Sequence, residues 1–158
     1  MLIRLAAIAL LLVVLFQVFR LAMALRAAKR SRERAQAEEE TRGGRVLAEV
    51  PVSDADVVFL VEDEEAFRWG ETRVRKADVR GARLLVNGAV LQEFTRAGTG
   101  LPAPEAPEEY EGRERWEVRL FLDDGGRATI PCGTLREGVS REIAGRVFEA
   151  VRAAAPAG

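Results

Sequence analysis

The first fifteen-residue stretch without a charge is Leu5–Phe19, LAAIALLLVVLFQVF, bracketed by Arg4 and Arg20. The apolar run resumes over Leu21–Leu25. A helix rises about 1.5 Å per residue, so the uncharged stretch covers roughly 22 Å. A bilayer's hydrocarbon core is about 30 Å thick. Extension to Leu25 closes the gap if Arg4 and Arg20 lay their stems along lipid and keep their guanidinium groups among the headgroups. The pattern predicts a membrane-spanning anchor over residues 1–25.

Two other readings of the stretch are weaker. Ala22-Met23-Ala24 has the small-x-small form of a signal-peptide cleavage site. Arg20 would lie within that site, however, and five more basic residues would come directly after the cut, where positive charge opposes translocation. A buried core helix would need apolar cover on every side, and the remaining chain must already build its own core. Basic residues set the orientation. Arg4 stands alone before the span. Arg20, Arg26, Lys29 and Arg30 flank its other end, with Arg32 and Arg34 beyond them. The excess predicts a single pass through the cell membrane with the C-terminal part in the cytoplasm.

Residues 26–44 begin with RAAKRSRERAQAEEETR, good helix formers without an apolar face, and end at Gly43-Gly44. This reads as a solvated helical stalk. From Arg45 the period shortens to two. Val46, Ala48 and Val50 alternate in a strand ending at Pro51, and Ser53–Asp56 is a turn. Val57–Val61 is a short apolar run that fits a core strand, and Glu62–Glu65 is an acidic turn. Phe67 and Trp69 share a face of the next strand. Glu71–Val79 reads as its continuation, with Arg73 and Arg75 flanking Val74. Asn87-Gly88 between Ala82–Val86 and Ala89–Phe94 is a strong hairpin signal, since both turn positions need positive φ. Gly98–Arg113, with three prolines and four glutamates, reads as a long mobile acidic loop. Trp116, Val118, Leu120 and Leu122 alternate with Glu117, Arg119 and Phe121, and Asp123–Gly126 turns the chain into Arg127–Pro131. Thr134 and Glu137 have capping-box spacing.

Val139, Ile143, Val147, Val151 and Ala154 then fall on one face of a helix that Ser140 would cap. About seven strands closed by one amphipathic helix predict a mainly β (α+β) domain over residues 45–155. Its form is a bent antiparallel sheet or open barrel with the helix over one opening. The segments VVFLVEDEEAFRWG (57–70), RGARLLVNG (80–88), RWEVRLFLDDGGRATIPCG (115–133) and GVSREIAGRVFEAVRAA (138–154) resemble, in element order, the small bacterial domains of the pleckstrin-homology-like superfold. That resemblance implies a binding module of a kind often attached to membranes. Lipid-binding members use basic residues in and around the first hairpin. Here that hairpin is Glu62-Asp63-Glu64-Glu65, a departure from the pattern.

Charge is unevenly shared. Residues 1–36 carry +6 and residues 37–158 carry −7, within a chain of net charge −1. Basic charge concentrates beside the predicted span, where it meets anionic headgroups. The acidic remainder argues against nucleic acid as a partner. The chain has no histidine, which excludes imidazole chemistry and histidine-ligated metals. Cys132 is the one cysteine, so no intrachain disulfide forms. It reads as a buried small side chain, and Trp69 and Trp116 read as core aromatics. No nucleophile stands beside a group that would activate it, so neither catalysis nor a cofactor is expected. Glu62–Glu65 lacks the spaced oxygens and glycine of a Ca²⁺ loop.

One constellation remains, the basic group Arg68, Arg73, Arg75, Lys76, Arg80 and Arg83. It reads either as a solvated strand face or as a seat for an anion. The sequence therefore points to a membrane-anchored cytosolic module. Its expected role is to scaffold or recruit a protein partner, or to self-associate, through a strand edge or groove. The alternative is a reader of anionic lipid or a small anion through the Arg68–Arg83 group.

Overall fold

The computed structural model describes residues 2–41, 43–51, 57–107, 114–133 and 137–155; for residues 2–13, 28, 32, 39, 40, 137 and 138 it describes the backbone alone. The Ser53–Asp56 turn, the glutamates at 108, 109 and 111, Thr134 with the Glu137 side chain, and the Arg4 side chain lie outside the described residues. The chain forms two compact units, one ending at Thr41 and the other beginning at Arg42.

The first unit is a single helix, α1 (Leu2–Thr41), so the predicted anchor and stalk are continuous. Gly43, with φ of +83°, lies just past its end. Thr41 Oγ1 donates to Ala37 O at 2.7 Å in the last turn. Val14, Leu15, Phe16, Val18, Phe19, Leu21, Met23 and Leu25 are all exposed by half or more. Among the described residues no helix is long and apolar enough to cross a membrane. The apolar side chains described run only from Val14 to Leu25, about 18 Å of helix. Beyond them Arg26, Lys29 and Arg30 are exposed.

Among the described residues, the second unit has eight strands in two antiparallel sheets and a C-terminal helix. The first sheet contains β1 (Arg45–Pro51), β2 (Val57–Glu62), β3 (Ala66–Trp69) and β4 (Thr72–Arg75), in that order. The second contains β5 (Val79–Val86), β6 (Ala89–Thr95), β7 (Trp116–Leu122) and β8 (Arg127–Gly133), in the order β6-β5-β7-β8. The helix α2 (Glu137–Ala154) packs on β1, β5, β7 and β8.

The eighth strand arises where the alternation predicts an uninterrupted one. Gly70 adopts φ of +55°, and Trp69 pairs with Thr72, so the chain reverses over Gly70-Glu71. Arg73 and Arg75 alternate with Val74 as in a strand, but the inward positions change from odd (Phe67, Trp69) to even (Val74), which marks the turn. A 3-10 turn, Lys76–Asp78, then separates β4 from β5, which starts at Val79 rather than Ala82. The Asn87-Gly88 hairpin has the expected geometry, with φ of 49° and 78°. Asp123–Gly126 turns as expected, closed by Leu122 N donating to Gly126 O at 2.9 Å.

One core joins both sheets and α2. Phe67, Trp69 and Leu60 meet Leu84, Val118, Leu120 and Trp116, with Val147, Phe148 and Val151 from the helix. Phe94 meets Phe148 edge to face with ring centroids 5.7 Å apart. The helix buries Ala144, Val147, Phe148 and Val151, while Val139 is 52% exposed. The buried stripe therefore centres one position from the expected one, because the large Phe148 is drawn into the core. Ser140 lies inside the helix, buried, rather than at its cap. Val57 is half exposed, so only the later part of the Val57–Val61 run is core. In β1 a register shift between Val46 and Ala48 buries Leu47 and Ala48 together.

Candidate functional site

The predicted basic group is divided between the sheets. Arg68 on β3 pairs across the ladder with Arg73 on β4, and Arg75 ends β4. Arg80 and Arg83 are on β5 of the other sheet. Acidic neighbours compensate most of the group. Arg68 lies 3.3 Å from Asp63, Arg73 lies 3.7 Å from Glu65, and Arg75 makes two hydrogen bonds of 2.8 Å to Asp78. Lys76 lies 2.9 Å from Glu62, which also accepts from Arg45 at 2.6 Å. The acidic hairpin between β2 and β3 is thus the counter-charge of the basic group. Asp63 Oδ1 also accepts from Glu65 N and Ala66 N, which fixes the turn itself. Burial alone would raise the Glu62 pKa. The Lys76 and Arg45 partners outweigh burial and hold it below its ordinary value.

A second, larger ionic lattice covers the outer face of the second sheet. The β7 alternation turns Glu117, Arg119 and Phe121 away from the core side occupied by Val118 and Leu120. Arg83 and Glu117 are both only 6% exposed, the two buried charges of the described domain. Arg83 donates to Glu93 of β6 at 2.9 Å and to Pro102 O at 2.6 Å. Arg119 donates to Glu117 at 2.7 Å and to Glu105 at 2.8 Å, and Glu105 also accepts from Arg127. The guanidinium groups of Arg83 and Arg127 stand 5.1 and 5.8 Å from the Phe121 ring centre. Part of the loop expected to be mobile is therefore tied to the sheet between Arg96 and Glu105. The strand pattern located Arg119 and Phe121 on one face. Nothing in their spacing pointed to Glu105, which joins them from a loop fourteen residues upstream of Arg119.

The sheet edges differ in kind. β4 is four residues long, and its arginines are ion-paired. β1 and β8 lie against one another. β6 is seven residues long and largely exposed, with Leu91 50% exposed. Its register shifts between Gln92 and Val90, leaving Leu91 as the extra residue. Elsewhere, a shallow cleft of about 440 Å³ between β1 and α2 is lined by Arg45, Val46, Leu47, Arg146, Glu149 and Ala150.

Cys132 is buried, and burial pushes its thiol pKa up to about 12, so it stays a thiol at neutral pH. Trp69 and Trp116 are both 5% exposed and belong to the core. Among the described residues no three acidic or cysteine side chains gather as metal ligands would. In comparisons with known proteins, no family model, no curated protein and no solved structure matches this chain.

Proposed function

We propose that the chain is a single-pass membrane protein whose β domain, pleckstrin-homology-like in architecture, faces the cytoplasm and binds a protein partner along β6. The carrying observation is the open β6 edge: seven residues, largely exposed, with a half-exposed leucine at its centre. An exposed edge offers unpaired N–H and C=O groups to an incoming extended segment. The β4 edge of the first sheet is short and charged, the form that discourages pairing. A second copy of the chain could supply the segment, so self-association uses the same surface.

The anchor rests on the sequence and on α1. A helix that exposes apolar side chains around its circumference needs an apolar surrounding. The basic residues Arg20, Arg26, Lys29 and Arg30 favour the cytoplasmic side for the β domain. Anchoring also raises local concentration, so a weak edge contact suffices. The anion reader gains less support, because Arg68, Arg73, Arg75, Lys76 and Arg83 already have carboxylate partners.

The test places a photo-crosslinking residue at Gln92 of the full chain in its own membranes, with and without Leu91→Lys. The expected result is a discrete adduct that Leu91→Lys reduces by about fivefold, equivalent to roughly 1 kcal/mol. An absent adduct, or one indifferent to Leu91→Lys, contradicts the β6 contact.

A further inference from the structure

Residues 101–107, Leu-Pro-Ala-Pro-Glu-Ala-Pro, lie on the outer face of the second sheet as a short ligand would. The segment has no regular hydrogen-bonded structure, and Ala103–Pro107 is exposed. Prolines at 102, 104 and 107 favour an extended backbone before any contact forms. Three points hold it. The Leu101 side chain sits over Gly81, where an added Cβ would come within 3.0 Å of Leu101 Cδ2. Pro102 O accepts from Arg83, and Glu105 accepts from both Arg119 and Arg127. Thr99 secures the near end through its hydroxyl, which donates to Arg96 O at 2.6 Å.

The face beneath is built for a carboxylate. Arg83, Arg119 and Arg127 reach the segment, while the sheet itself supplies Glu93 and Glu117, and Arg115 also draws on Glu117 at 3.6 Å. Phe121 fills the floor between Arg83 and Arg127. Arginine beside an aromatic ring gives a donor array for carbonyl and carboxylate oxygens and a flat apolar surface for proline.

We propose that this face is a binding site for an acidic, proline-containing peptide segment of a partner protein, with residues 101–107 occupying it in cis until displaced. The site uses the outer face of the sheet rather than the β6 edge, although the two meet at Glu93 of β6, which pairs with Arg83. A tethered occupant lowers the apparent affinity for any external segment by the fraction of sites left open.

The probe is a fluorescent synthetic peptide with the sequence of residues 99–107, TGLPAPEAP, added to the full chain in detergent. Binding is read by anisotropy, and the mobility of a spin label attached at Ala103→Cys reports on residues 101–107. In Glu105→Ala, the label becomes more mobile and the peptide binds about tenfold tighter than to the wild type. A peptide with its glutamate changed to glutamine loses that gain, and so does the double variant Glu105→Ala/Arg127→Ala. Three results overturn the proposal. A label no more mobile in Glu105→Ala would show that the carboxylate does not hold the segment. An opened segment without peptide binding would show that the face takes no external ligand. Equal binding of the glutamine peptide would remove the carboxylate from recognition.

Discussion

An added methyl at Gly81 would lie 2.5 Å from Phe94 O and 3.0 Å from Leu101 Cδ2. The first neighbour is backbone of the paired strand, which cannot move without disturbing the Gly81–Thr95 pairing. Gly81→Ala should therefore destabilise the domain by about 1–3 kcal/mol, measured by denaturant unfolding. Unchanged stability would mean that the β5–β6 contact is looser than described. No sequence pattern marks this glycine, because its role depends on what the fold brings opposite. Phe67, Trp69, Val118 and Leu120 were legible as core because alternation alone assigns a strand's faces. Phe148 was not, since the helix stripe could be drawn through Val139 or through Phe148, and only packing decides.

At the scale of elements, strand pairs with turn chemistry were readable, and turns without it were not. Asn87-Gly88 and Asp123–Gly126 announced their hairpins. Gly70-Glu71 did not, although the inward parity changes across it from Phe67 and Trp69 to Val74, because neither Asn-Gly nor Asp-Gly stands at the turn. The Gly98–Glu105 segment was legible as loop, while its attachment depends on side chains from three strands. That attachment carries a pH prediction. Arg127 first, then Arg119, hydrogen-bond Glu105 and hold its carboxyl below the ordinary glutamate value of 4.5. A depressed folded pKa means the contact is fully present above the ordinary value and is lost as pH falls through the lowered one. A spin label attached at Ala103→Cys should therefore stay immobilised at pH 5 and become mobile only below about pH 4.5. Opening already at pH 6 would contradict the double arginine clamp.

For the whole molecule, the sequence showed a mainly β domain with a C-terminal helix behind a long apolar and then charged segment. The sequence also contained the basic group, but pairing across the β3–β4 hairpin makes it a compensated ionic surface. Spacing could not show that, because Glu62 reaches Lys76 only after two strand reversals and Glu65 reaches Arg73 only after the unforeseen turn at Gly70-Glu71. Under the proposed function, the N-terminal segment holds the chain at the membrane while the β domain reads protein rather than lipid. Flotation with anionic lipid vesicles tests both halves together. The full chain should float at low and at physiological salt and resist carbonate extraction. Residues 43–158, which are net acidic, should stay in solution. Salt-sensitive flotation of residues 43–158 would contradict the proposal and return the Arg68–Arg83 group to the centre of the function, and a full chain that carbonate extracts would remove the anchor.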